Sequence, residues 1–356
     1  MTDAAPHLTV TPWDGKPITK PGIYSGIPMA AYHSAAICDG PSVSSSILRK
    51  VEELQDMSKV FDKHWPGNPD REPEAEKEAY VKGRARHTLL LGEEGFREEF
   101  LIRPETYPDG ATYPSEIGTP KPWNGNSKWC KAWLAAAALA GKSVLKADEI
   151  PNIRGAAERL AAHPAIQAGV LNGLIEHSIF YRDAKTGLWV KVRPDSIPTS
   201  GTMVADYKGT DSVHPQKVRK AITEYGYHQQ LALIADALFE VAGWRLGIDD
   251  HVLVFQEWNR PWSINHKPLT PTAIYRGRQQ NRRALDRIAE CIETGVWPGP
   301  DDDMVPADLQ DFREKQLKFE EEHGLLPGVE EPSAAPRQPS AASQAIRAQA
   351  DAEEAI

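Results

Sequence analysis

Residues 193–210 read RPDSIPTSGTMVADYKGT, and within them PDSIPTSGTMVAD (194–206) carries Asp195 and Asp206, with Lys208 two residues further on. The apolar MVA between the turn residues PTSG and the motif DYKG predicts a short strand over 203–209. Charge at the edge of a core is costly unless a partner receives it, so two carboxylates and an ammonium here ask for a common purpose. Outward from this point, LIEHSIFYR (174–182) alternates, DAKTG turns, and LWVKVRPDSI (188–197) alternates again. Three strands joined by short connections predict an antiparallel meander. A helical pattern from Pro215 to Ala242, a strand HVLVFQEW (251–258) and a helix over 271–294 follow. Strands with helices on both sides predict an α/β (α+β) fold, a mixed central sheet with an antiparallel meander flanked by helices.

The rest of the chain is read around that core. Residues 1–21 predict a flexible arm, 22–298 one domain, and 299–356 an acidic, largely disordered tail with a helix near 306–324. SVSSSILRKVEEL predicts a helix capped by one of the serines at 44–46. Further helices are expected at 74–91, 127–140 and 151–170, with 102–126 wrapping the surface. The net charge of −9 sits entirely in residues 301–356, which hold fourteen Asp/Glu against five Lys/Arg, while residues 1–300 balance at 36 against 36. The body must therefore be judged by patches rather than by its total. No apolar run reaches membrane-spanning length and the N-terminus has no signal-peptide pattern, so a cytoplasmic location is expected. Cys38, Cys130 and Cys291 are too scattered for a zinc site or a disulfide framework. AGKSV (140–144) lacks the leading glycine and the preceding strand of a phosphate loop.

Strand alternation places Asp206, Lys208 and Val204 on one face of their strand and Ala205 and Tyr207 on the other. Asp195 closes the preceding strand and Glu176 lies on the first, so three carboxylates are expected on adjoining strands. They repel one another unless a cation sits among them, and oxygen ligands select Mg²⁺ or Mn²⁺. Any one acidic pair also reads as an ion pair on a solvated face; the set of three acids and a lysine favours the cation. In phosphodiester hydrolysis such an ammonium can orient the attacking water and offset phosphate charge.

Asp195, ten intervening residues and then Asp206-Tyr207-Lys208 resemble the PD-(D/E)XK nuclease signature. KGRARHTLLL (82–91), EHSIFYRDAKTGLWVKVRPD (176–195), DYKGT (206–210) and YGYHQQLAL (225–233) are, in this order, similar to the RecE-type phage exonucleases over roughly residues 22–298. The resemblance implies a restriction-endonuclease-like core and a metal site drawn from His87, Glu176, Asp195, Asp206 and Tyr207. It also implies Lys208 serving the water, with Tyr227 and Gln230 positioning phosphate or water. DYKGT departs from the D-x-K-T-T-like run of many relatives at Gly209, which puts a local phosphate contact in doubt. Arg193, Lys217, Arg219, Lys220, Arg276 and Arg283 are candidate DNA contacts, with Arg282 and Arg287 close to the last two, and each also reads as solvated charge.

The resemblance implies a Mg²⁺- or Mn²⁺-dependent exodeoxyribonuclease that digests linear duplex DNA 5′ to 3′. It would work at double-stranded DNA ends with a single-strand annealing recombinase and assemble as a ring-shaped homo-oligomer. The alternatives are an endonuclease or repair nuclease of the same fold, and a DNA-binding recombination module that has lost catalysis.

Overall fold

A computed structural model describes residues 8–72, 78–91, 93–110, 118–197, 203–247, 249–300 and 311–326. The chain divides into two compact units, Met1–Trp297 and Pro298–Ile356. In the second, the helix Asp311–Glu322 buries no residue; residues 301–310 and 327–356 of the expected acidic tail lie outside the described residues.

Ten strands of the first unit form two five-stranded sheets. In chain order they are β1 (Val10–Pro12), β2 (Gly22–Ser25), β3 (Ser42–Ser44), β4 (Leu174–Ile175) and β5 (Ser178–Arg182). They continue as β6 (Trp189–Val192), β7 (Ser196–Ile197), β8 (Val204–Thr210), β9 (His251–Glu257) and β10 (Ile264–Pro268). The strand orders are β1-β2-β5-β6-β3 and β10-β9-β8-β7-β4. The principal helices are α1 (Ser45–Leu54), α2 (Glu78–Leu91), α3 (Ile150–Ala161), α4 (Pro215–Glu224), α5 (Tyr227–Ala242) and α6 (Pro271–Thr294).

The expected meander is present, but each of its first two strands breaks in the middle. LIEHSIFYR is interrupted at Glu176, whose φ of +50° is a left-handed conformation unfavourable to a side chain. LWVKVRPDSI is interrupted over 193–195, where Pro194 has no N–H to give to a ladder. The breaks face each other, since Glu176 N–H donates to the Asp195 carbonyl at 3.2 Å. One half of each strand therefore enters each sheet: β5 pairs with β6, and β7 with β4, both antiparallel.

Beyond the meander the sheet becomes mixed. β7 pairs antiparallel with β8 through Ser196 and Ala205, whereas β8 runs parallel to β9 with Asp206 opposite Leu253. A parallel neighbour needs a long crossover, and α4 and α5 supply it. The single helical run expected from Pro215 to Ala242 is split at Gly226, which adopts φ +63°. Likewise the helix expected over 151–170 stops at Ala161, and a short helix restarts at Pro164. The strand β10 pairs with β9 through five residues that show no alternating pattern.

The arm expected at the N-terminus is docked from residue 8 onward. β1 pairs with β2, and Ile18, 3 % exposed, packs with Ile27, Tyr32, Ile37, Phe180 and Trp189. The main core lies on the other side of that sheet, where α5 buries Leu231, Leu233, Ile234 and Leu238 against Ile179, Val190, Val204 and Leu253. The apolar face of α5 is thus shared by both sheets.

Three imidazoles are held below the ordinary histidine value. Burial is the main cause at His33, His163 and His251, with Lys191, His266 and Arg278 the leading neighbouring charges respectively. For each, the unfolded chain takes up a proton more readily than the fold. Their contribution is complete above an unfolded value of about 6.5 and is lost as pH falls below it. Thermal unfolding between pH 8 and 5 is expected to show a falling melting temperature below about 6.5, and His251→Leu should flatten part of that slope.

Candidate active site

β8 carries the chemistry because it is apolar at its start and polar along one face. Val204 joins the core beneath α5, while Ala205 and Tyr207 pack on the opposite face with Leu160, Val252 and Val254. The face of Val204 therefore also presents Asp206 and Lys208. Asp206 is 1 % exposed, and its Oδ2 contacts the Lys208 ammonium, whose side chain is 17 % exposed. Burial alone would lower the Lys208 pKa, but the carboxylates of Asp206 and Asp195 outweigh it and the ammonium is held above its ordinary value. The Lys208 Nζ also stands 4.8 Å from the centre of the Tyr227 ring.

Asp195 is brought to β8 by the break after β6. Its Oδ2 accepts the Tyr207 N–H at 2.6 Å, so this acid is fixed by the main chain of the residue between Asp206 and Lys208. Gln230, in the first turn of α5, donates Nε2–H to Asp206 Oδ1 at 2.9 Å. Its Oε1 is buried without a hydrogen-bond partner among the described residues, while Asp206 Oδ2, also buried, faces the Lys208 ammonium. The oxygen donors of Asp195, Asp206 and Gln230 are the type that a hard divalent cation takes.

Other expected residues are placed differently. Glu176 is at the strand break, not within a strand, and lies near the Arg193 guanidinium. Among the described residues no three His, Cys, Asp or Glu side chains are gathered to hold a metal, so the expected three-carboxylate cluster is not formed. Tyr207 can serve the site only through its main chain. Its ring faces away, its hydroxyl donates to Gln256 Oε1 at 2.7 Å, and burial pushes its pKa up to about 12. His87 is on α2, but its side chain lies outside what the structure describes.

The basic candidates divide as well. Arg193 is held by Ser178 Oγ and the Ile27 carbonyl, both at 2.8 Å, and stacks on Tyr32 at 4.6 Å, so it is a fixed wall and not a mobile phosphate contact. Arg283 is paired with Glu52 and Arg276 donates to Gln279 at 2.7 Å. Arg282 forms two bonds with Asp183, so the α6 face is a network of ion pairs and not an open basic track. Lys217, Arg219 and Lys220 remain exposed on α4, with Lys220 3.8 Å from Glu224.

A cavity of about 170 Å³ opens beside the acids. Asp195, Glu176 and Gln230 line it together with Arg193, Arg49 and the serines 44–46. The sequence pattern marks the last two groups only as a helix start; the cluster of hydroxyls one turn before an arginine is the signal that points to them. Gln230→Ala is expected to lower the melting temperature, since it removes the amide that is bonded to the buried Asp206 Oδ1.

No curated protein matches the chain. A crystal structure from Eubacterium rectale, described as that of a candidate exonuclease, is similar over 76 % of this chain and 91 % of that one, at 11 % identity and a TM-score of 0.48. The family profile described as "PDDEXK-like domain of unknown function (DUF3799)" matches residues 57–303, which is more than half of the chain and contains every acid and lysine of the site. The chain therefore belongs to this PDDEXK-like family, a branch of the PD-(D/E)XK superfamily.

Proposed function

We propose that this protein is a nuclease that hydrolyses DNA phosphodiesters with the help of Mg²⁺ or Mn²⁺. The observation that carries the reading is the juxtaposition of Lys208 with the buried Asp206, beside an Asp195 locked to the same strand. Asp195 and Asp206 would hold the ion, with Gln230 Oε1 next to them. When bound there, such an ion would supply Lewis-acid help to the scissile phosphate and to the attacking water. The chain's own part is to orient. Lys208 places a positive charge at the acids, where it can hold the attacking water and offset charge growing on the phosphate. Arg49, Arg193 and the serines at the head of α1 make the adjoining cavity suited to an anionic substrate.

Within this reading we favour an exonuclease acting on linear duplex DNA from the 5′ end, on the ordered likeness of four motifs to RecE-type enzymes. A ring-shaped assembly and a single-strand annealing partner belong to the same proposal. The test uses linear duplex labelled at either the 5′ or the 3′ end, alongside covalently closed plasmid. Early release of the 5′ label with an intact plasmid is expected. Nicking or linearisation of the plasmid would transfer the reading to an endonuclease.

A further inference from the structure

The turn between β9 and β10 holds two indoles that each lie on a glycine of another element. The Trp258 ring covers Gly209 of β8, where an added Cβ would lie far inside the van der Waals contact distance of Cη2. The same ring reaches Gly83 of α2, leaving room for a Cβ only at 3.4 Å. Four residues further on, the Trp262 ring covers Gly155 of α3, and its Nε1 donates to Asn152 at 2.5 Å.

Polar contacts tie the same elements to the Trp258 main chain. Asn152 donates to its carbonyl at 3.0 Å, and its own N–H donates to Thr210 at 3.0 Å. Arg86 of α2, 3 % exposed, donates to the carbonyls of Glu257, at 3.1 Å, and Trp258, and stacks on the Trp258 ring at 4.9 Å. Burial lowers the Arg86 pKa and Tyr207, the residue between Asp206 and Lys208, opposes that shift. One aromatic ring therefore touches the residue directly after Lys208 and the helix that carries His87.

We propose that Trp258 is a positioning residue for Lys208. Its indole fills the space that a side chain at 209 would take, and so fixes the end of β8 and the seat of α2 upon it. Gly209 and Trp258 form a reciprocal pair, in which a bulkier residue at one demands a smaller residue at the other. The inference rests on the nuclease reading for its kinetic consequence, while the packing claim is independent of it.

The experiment is a double-mutant cycle of Gly209→Thr and Trp258→Ala, with Trp258→Phe added, followed by melting temperature and by kcat and KM on linear duplex DNA with Mg²⁺. Gly209→Thr alone is expected to lower kcat about 100-fold with KM little changed, the effect of displacing a catalytic group by about an ångström. Adding Trp258→Ala should return roughly tenfold of that loss, and Trp258→Phe alone should keep most of the parental rate. Additive effects of the two substitutions on kcat in folded variants would overturn the proposal. So would a Gly209→Thr variant that melts early yet keeps full kcat below its transition. An inactive parent protein would instead fail the nuclease reading. The pairing would then be supported by coupled melting temperatures and overturned by additive ones.

Discussion

Asp206→Asn is expected to reduce DNA hydrolysis by about 1000-fold or more, measured as acid-soluble nucleotide released under single-turnover conditions. The substitution keeps the shape of the side chain and the acceptor for Gln230 Nε2, which bonds Oδ1 at 2.9 Å. It removes the charge that faces Lys208 and that would hold the metal. The Lys208 ammonium, 17 % exposed, is then left with Asp195 as its nearest described carboxylate influence. Loss of one member of a largely buried pair destabilises, so the melting temperature should fall too. The double variant Asp206→Asn with Lys208→Met separates these effects. It should regain stability by removing the uncompensated charge and regain no activity. Recovery of activity in the double variant would mean that the acid serves packing alone.

Trp189→Ala is expected to cost about 3–5 kcal/mol in chemical denaturation, a large part of the total stability of an ordinary domain. Trp189 is completely buried in β6. Its indole donates to Asp39 at 2.6 Å, and Arg182 stacks on it at 4.7 Å while pairing with the same carboxylate. The ring also sits among Ile18, Ile37 and Phe180, which hold the N-terminal segment against the sheet. Its removal opens a cavity and leaves the β3–β6 pairing, in which Trp189 faces Ser42, without its anchor. Ser44 and Tyr32 line the cavity beside Asp195 from this same region. Activity should therefore fall at temperatures where the rest of the domain is still folded, and a loss confined to global melting would contradict this link.

The features that depend on local pattern were legible from the chain. The alternation of MVADYKG gives the faces of β8, and the run from Pro271 to Thr294 is one helix capped by Thr270, as the periodicity says. What could not be read depends on contacts far apart in sequence. Nothing in LIEHSIFYR announces that Glu176 turns left-handed, because that conformation is held by the facing Asp195 carbonyl. The N-terminal residues look like a loose arm because β1 is three residues long, and it becomes a strand only when β2 is there to pair with. The sequence around Gly209 says nothing of the Trp258 ring that covers it from almost fifty residues away. The arginines of α6 spaced along one face suggested a phosphate track, yet Asp183, Asp236 and Glu52 from other elements meet them.

The most direct test of the site is the release of nucleotides from end-labelled linear duplex by the unaltered protein, with Mg²⁺ present or removed by chelator. The arrangement of Asp195, Asp206 and Lys208 predicts rapid release with the metal, none with the chelator, and restoration when Mg²⁺ or Mn²⁺ is returned. Release that is indifferent to the chelator, or no release with any divalent ion, would contradict the assignment of this strand as a metal-dependent phosphodiesterase site.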